Sequence, residues 1–210
     1  LMNASEAIDL VKDSELKQLA VKDDKKAVLG FLNMGVLEIY KRFVLWQAEA
    51  TITMKLGVTR YKLDGTDVNV TIDLSDHNLL MVDEAYDFDG EPMSINDENE
   101  PLSLATPQYN VVEMQEDAVT DGVDISIIYR AAPTFMTHEK AIIPLPPQFY
   151  EALFHYVGFR GHGSQKTGEA QLADNTHYKR FEASCNRVKF EGLYTEDSME
   201  STKFEDRGFV

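Results

Sequence analysis

The sequence predicts an α+β fold. Its core is four-helix bundle-like, with two N-terminal and two C-terminal helices, an antiparallel β insertion between the second and third helices, and an extended C-terminal arm. Three observations predict this. Apolar residues keep a helical period from Val28 to Phe43. The period changes to two between Trp46 and Arg130. A helical pattern then returns from Phe149 to Val188. Helices placed before and after a block of strands point to α+β rather than to a parallel α/β sheet. The predicted boundaries are residues 1–45 with 141–192 for the bundle, 46–140 for the β insertion and 193–210 for the arm.

The first helix is expected over residues 3–19. Asn3 or Ser5 caps it, Glu6 and Asp9 sit in the first turn where the helix dipole favours acids, and Ala7, Ile8 and Val11 start its apolar face. Asp23 or Asp24 caps the second helix. Val28, Phe31, Leu32, Gly35, Val36, Ile39, Tyr40 and Phe43 hold its stripe. Gly30 and Gly35 each cost about 1 kcal/mol against alanine in a helix, which predicts close helix–helix approach there. In the insertion, Ala48, Ala50, Ile52 and Met54 alternate with polar residues. Further strands are expected around Tyr61 and Leu63, at Val68, Val70 and Ile72, and over 79–85, 92–95, 109–114 and 123–130. Asp64-Gly65, Asp89-Gly90 and Asp121-Gly122 supply turns. Pro146 and Pro147 open the third helix, since proline suits a first turn whose N–H groups have no partner. Phe149, Leu153, Tyr156 and Val157 form its stripe, and Gly161 and Gly163 end it. The fourth helix starts near Gly168 or Glu169. It carries Ala173, His177, Phe181, Cys185 and Val188 on one side, and it breaks at Gly192. His177 and Cys185 therefore read as core residues.

Composition narrows the function. With 43% apolar residues the chain buries a core. A net charge of −16 excludes coating nucleic acid, which needs Lys and Arg against the phosphates. An acidic wall would instead repel phosphates and let a duplex slide past without specific binding. No apolar run approaches a membrane span and no signal-peptide pattern opens the chain, so no membrane partner is expected. One cysteine leaves no internal disulfide and no cysteine-cluster zinc site.

No catalytic, metal or cofactor site is expected. His77, His138, His155, His162 and His177 show no pair at zinc spacing, and seven residues with two glycines separate His155 from His162. Gly161-His162-Gly163-Ser164 follows a helix rather than a strand, so it lacks the phosphate-cradle setting. Asp87, Asp89, Gly90 and Glu91 miss the ligand spacing of a calcium loop, and a hairpin turn explains them.

The helix pair resembles a known family. The pattern Leu145-Pro146, Phe149-Tyr150, Ala152-Leu153, Tyr156-Val157 and Arg160, then Ala173, His177-Tyr178 and Phe181, resembles the C-terminal helix pair of head-to-tail adaptor proteins of tailed, short-tailed bacteriophages. YRAAPTF, residues 129–135, is similar to the strand leading into that pair. Two departures stand out. Gly161 replaces an alanine, so the third helix is expected to end earlier, and the β insertion carries no matching motif.

The resemblance implies a non-enzymatic virion protein, made in the host cytoplasm and assembled into the neck. It would form a homo-oligomeric ring, a dodecamer, between the portal protein and a tail nozzle or tail tube protein, with DNA passing through. Phe149, Leu153, Tyr156, Val157, Ala173, His177, Tyr178 and Phe181 would pack the helix pair. In that picture the arm docks on the portal. Residue type points to Tyr194, Lys203, Phe204, Arg207, Phe209 and Val210 as its contacts, with aromatics in a polar tail serving as anchors. One alternative is a tail-completion or stopper ring of the neck. Another is a small acidic enzyme or binding module, which requires a closed polar pocket holding His155 or His177 beside a buried carboxylate.

Overall fold

A computed structural model of the chain describes residues 1–100, 102–163 and 168–194, with backbone alone over 168–174. The described residues form four α-helices and eight strands in two antiparallel sheets. The fold is mixed α+β, but it is not a four-helix bundle core carrying a single β insertion. The chain divides into one unit of residues 1–43 with 135–210 and another of residues 44–134.

In the helical unit, α1 (Ala4–Asp13) is capped by a reciprocal pair. Asn3 Oδ1 accepts from Glu6 N, and Glu6 Oε2 accepts from Asn3 N. The helix stops at Asp13 rather than Leu19 because Ser14 leaves the helical conformation (φ −112°, ψ −90°) and Leu16 N donates to Val11 O, five residues back, instead of to Lys12 O. A ten-residue α1 is too short to serve as a full bundle member, which is one reason the bundle expectation fails. The chain then makes turns that bury Leu16 and Leu19, and a 3-10 turn at Ala20–Asp23. α2 (Lys25–Arg42) starts on Asp24, whose carboxylate accepts from Ala27 N. Its buried line is Val28, Leu32, Gly35, Val36, Ile39 and Tyr40. A Cβ on Gly35 would lie 2.6 Å from Leu153 Cδ1, so this glycine does serve close helix approach. Gly30 faces open space and has no such role.

Residues 135–149 return along α1 and α2. Ala141 O and Glu139 O accept from Ala4 N and Ser5 N, Asn33 brackets the Met136 backbone, and the Tyr40 hydroxyl donates to Pro144 O. A 3-10 turn at Pro147–Phe149 leads into α3 (Tyr150–Gly163), which lies antiparallel to α4 (Gly168–Phe190). α3 does not end at Gly161. That glycine lies inside the helix and buried, and a Cβ there would lie 2.3 Å from Leu16 Cδ2. Leu16, beyond α1, fills the space an alanine Cβ would take, so a glycine stands inside the helix there.

The other unit contains β1 (Gln47–Thr53), β2 (Arg60–Lys62), β3 (Val70–Thr71), β4 (His77–Tyr86), β5 (Pro92–Met93), β6 (Ala105–Gln108), β7 (Val111–Glu113) and β8 (Asp124–Pro133). The five-stranded sheet runs β3-β1-β8-β4-β5 and the three-stranded sheet β2-β7-β6. In β8, Ile125, Ile127, Tyr129 and Ala131 alternate into the core, which also holds Ile52, Tyr61, Leu63, Leu104 and Val112. The Asp89-Gly90 turn is a hairpin, as its residues suggest. Gly90 takes φ 81°, and Asp87 Oδ1 accepts from Asp89 N and Glu91 N. No helix among the described residues is long and apolar enough to cross a membrane.

Candidate functional site

The helix pair is held by an aromatic seam. Phe181, fully buried on α4, meets the Tyr156 ring at 5.3 Å between centroids and lies under the Arg42 guanidinium at 4.6 Å. Tyr178 packs on Phe159, and its hydroxyl accepts from Arg42. Leu153 and Val157 are buried, and Phe149 stands edge-on to Phe43 at 4.7 Å. Arg187 bridges both oxygens of Glu151 at 2.7 Å, joining the open ends of the hairpin.

The end of α4 and residues 191–194 are built on the same unit. Leu193 N donates to Val188 O and Gly192 N to Lys189 O, with Gly192 at φ 65°. This helix stop leaves its last carbonyls satisfied. It turns Tyr194 onto Phe43, edge-on at 4.9 Å. Tyr194 thus packs on its own chain. The other expected arm contacts, Lys203, Phe204, Arg207, Phe209 and Val210, lie outside the described residues, as does the side chain of Ala173.

A second feature had no sequence signal strong enough to single it out. Glu15 Oε2 lies 2.9 Å from His177 Nδ1, and Glu15 Oε1 lies 3.4 Å from His155 Nδ1. All three side chains are largely buried, at 16%, 11% and 15% exposure. Both ring nitrogens are sealed from solvent, and each faces a Glu15 oxygen at ion-pair distance rather than along the direction of a good hydrogen bond. His162 stacks on His177 at 4.8 Å, and its Nε2 is 3.2 Å from Glu15 O. His177 lies face-on over Gly158, where a Cβ would sit 2.7 Å from Nδ1. Local folding explains the convergence. Glu151, His155, Gly158 and His162 follow a 4-3-4 spacing, which puts them on one helix face. Buried Leu16 pins the turn that carries Glu15. The signal was present in the seven-residue separation of His155 and His162, two turns of one helix, once α3 is continued through Gly161.

The imidazole of His155, then that of His177, holds the Glu15 carboxyl well below the usual carboxylate range, against the opposing effect of burial. The sign of the linkage follows. A depressed folded-state value stabilises fully above the ordinary carboxylate value of about 4.3, and the contribution declines as pH falls below that value. It vanishes once Glu15 takes a proton in the folded state. In urea unfolding with a chelator present, wild type should exceed Glu15→Gln in stability near neutrality, and the gap should close as pH falls below about 4. Parallel pH profiles for the two proteins would contradict this.

In the β unit, buried His77 links the Tyr129 hydroxyl and the Asp76 carboxylate, both at 2.7 Å. Tyr129 is fully buried, burial pushes its phenol up, and the string ties β4 to β8. Burial likewise pushes the Cys185 thiol up to about 11, as fits a core residue. Two cavities can be described. One, of about 450 Å³, is lined by Asn96, Asp97, Glu98 and Glu113 among others. The other, of about 670 Å³, lies by Met2, Asp9, Pro147 and Tyr150. Neither is lined by His155 or His177. No protein-family model matches the sequence, and no curated protein matches it.

Proposed function

We propose that the chain is a structural component of the neck of a tailed bacteriophage: a head-to-tail connector that forms a dodecameric ring below the portal, joins capsid to tail and surrounds the DNA passage. One observation carries the reading. The family-like residues Phe149, Leu153, Tyr156, Val157, His177, Tyr178 and Phe181 fall within a single antiparallel hairpin that packs on α2 and ends in a defined arm root. In this role the hairpin and α2 give each subunit a rigid body, and residues 193–210 supply the portal contact. Of the arm's aromatic residues, Phe204 and Phe209 are the anchors that would enter the partner, since Tyr194 already packs on Phe43. A charge of −16 per chain repels identical subunits, so the free protein stays monomeric and the ring forms on the portal.

Convergence of Glu15, His155 and His177 meets one condition of the enzyme alternative. A closed polar pocket around them, the other condition, is not supplied by either cavity above.

Sedimentation velocity tests the proposal. Free chain should sediment as a monomer, and added portal rings should gain mass in the presence of the full chain. A chain truncated after Gly192 should stay monomeric and leave the portal unchanged. Mass gained by a tail-tube protein instead of the portal would move the assignment to a stopper ring.

A further inference from the structure

We propose that Glu15, His155 and His177 form a binding site for a divalent transition ion of the Zn²⁺ class, with a fourth position for water. The proposal concerns the helical unit alone and is independent of the connector role. Each residue offers one ligand atom, and the three atoms lie within 4.8 Å of one another. Two imidazoles and a carboxylate are donors that zinc accepts, with bonds of about 2.0–2.2 Å. A tetrahedral centre with such bonds sets its donors about 3.3 Å apart. Glu15 Oε1 stands 3.4 Å from His155 Nδ1 and Oε2 2.9 Å from His177 Nδ1, and the donor atoms spread over up to 4.8 Å, so side-chain rotation must draw them together around the ion.

Two further features point the same way. Buried polar atoms normally make well-directed hydrogen bonds, and the Nδ1 atoms of His155 and His177 are sealed with only the Glu15 carboxylate, poorly aligned, facing them. An ion between them and Glu15 satisfies both nitrogens and the carboxylate together. The surroundings also have the character of an outer ligand shell, in which the second imidazole nitrogen faces a carboxylate. His155 Nε2 faces Glu151 Oε1 at 3.8 Å, and Arg187 holds Glu151 in place. His162 orients the other ring by stacking on His177, while Gly158 leaves room for that ring over α3. Imidazole donors and a low ligand number argue against Ca²⁺ and Mg²⁺, which take six or more oxygens. Once bound, the ion ties the turn after α1 to both helices of the hairpin.

The test uses the full-length chain, stripped with a chelator and dialysed. Zn²⁺ is titrated by calorimetry, and Co²⁺ is added separately to record visible absorption. Wild type should bind one Zn²⁺ per chain, gain thermal stability on binding, and give the intense visible bands of four-coordinate cobalt. Glu15→Gln and His155→Gln should weaken Zn²⁺ binding by more than about 100-fold, Glu151→Gln by about 10-fold, and exposed His138→Gln not at all. Wild type without stoichiometric binding or cobalt bands would overturn the proposal, and that result needs no variant to fold. Equal binding by wild type and Glu15→Gln would also overturn it, by assigning the ion to surface carboxylates.

Discussion

Replacing Phe181 by alanine is expected to remove about 3–5 kcal/mol from the helical unit, the usual cost of deleting a large buried aromatic side chain. Phe181 is fully buried on α4. It meets Tyr156 edge-on, contacts Tyr178 at 6.0 Å and carries the Arg42 guanidinium on its face. Truncation therefore opens a void between α3 and α4 and also leaves Arg42 without its stacking partner. Arg42 keeps Glu38 at 3.1 Å, so part of its anchoring survives. Urea unfolding followed by helical circular dichroism measures the loss. Phe181→Leu, which retains most of the volume, should cost clearly less. A loss below about 1 kcal/mol for the alanine variant would mean that the seam is not the core of the hairpin.

The second large effect lies in the β unit. Arg130 Nε approaches Asp83 Oδ1 and Oδ2 at 2.9 and 2.7 Å, with Asp83 10% exposed and Arg130 26% exposed. A register shift between Val82 and Glu84 places Asp83 in a bulge of β4, opposite β8. Asp83→Ala leaves the guanidinium three-quarters buried without its carboxylate. Breaking a buried pair costs about 3–5 kcal/mol, and the partial exposure of Arg130 argues for the lower end, about 3 kcal/mol. Trp46, the single tryptophan, packs against this unit's core and reports its unfolding by fluorescence. Replacing both partners, Asp83→Ala with Arg130→Met, should cost less than Asp83→Ala alone, because no charge is then stranded. A double variant less stable than the single one would contradict the pairing.

Sequence pattern revealed local structure well where one period held. α2 is legible because Val28 to Tyr40 keep a single stripe, and Asn3 and Asp24 announce their helices through their side-chain caps. β8 is legible through the alternation of Ile125, Ile127 and Tyr129. Which strand joins which sheet is not a local property. β2 and β7 are three residues each and pair across some fifty positions of chain, Tyr61 with Val112, so nothing near either one reveals a second sheet. β6 was missed, and Tyr109, expected in a strand, stands exposed just before β7. The chain departs from the expected bundle because α1, at 10 residues, is shorter than α2, α3 and α4, at 18, 14 and 23.

The Glu15 cluster shows the same division. His155 and His162 share a face of α3, a fact written in their spacing but hidden by treating Gly161 as a helix end. The reason for that glycine is Leu16, about 145 residues earlier in the chain, and the partner of the histidines is the neighbouring Glu15. A contact between a turn after the first helix and the third helix leaves no trace in either segment alone. The structure is needed to bring them together.

Electron microscopy of portal rings mixed with this chain is the most direct measurement of the connector role. The full chain should add a symmetric ring of density beneath the portal, twelve subunits round, with arms entering the portal surface. The chain truncated after Gly192 should add none. Bare portals with both proteins would contradict the account, and the helix-pair resemblance would then carry no functional meaning.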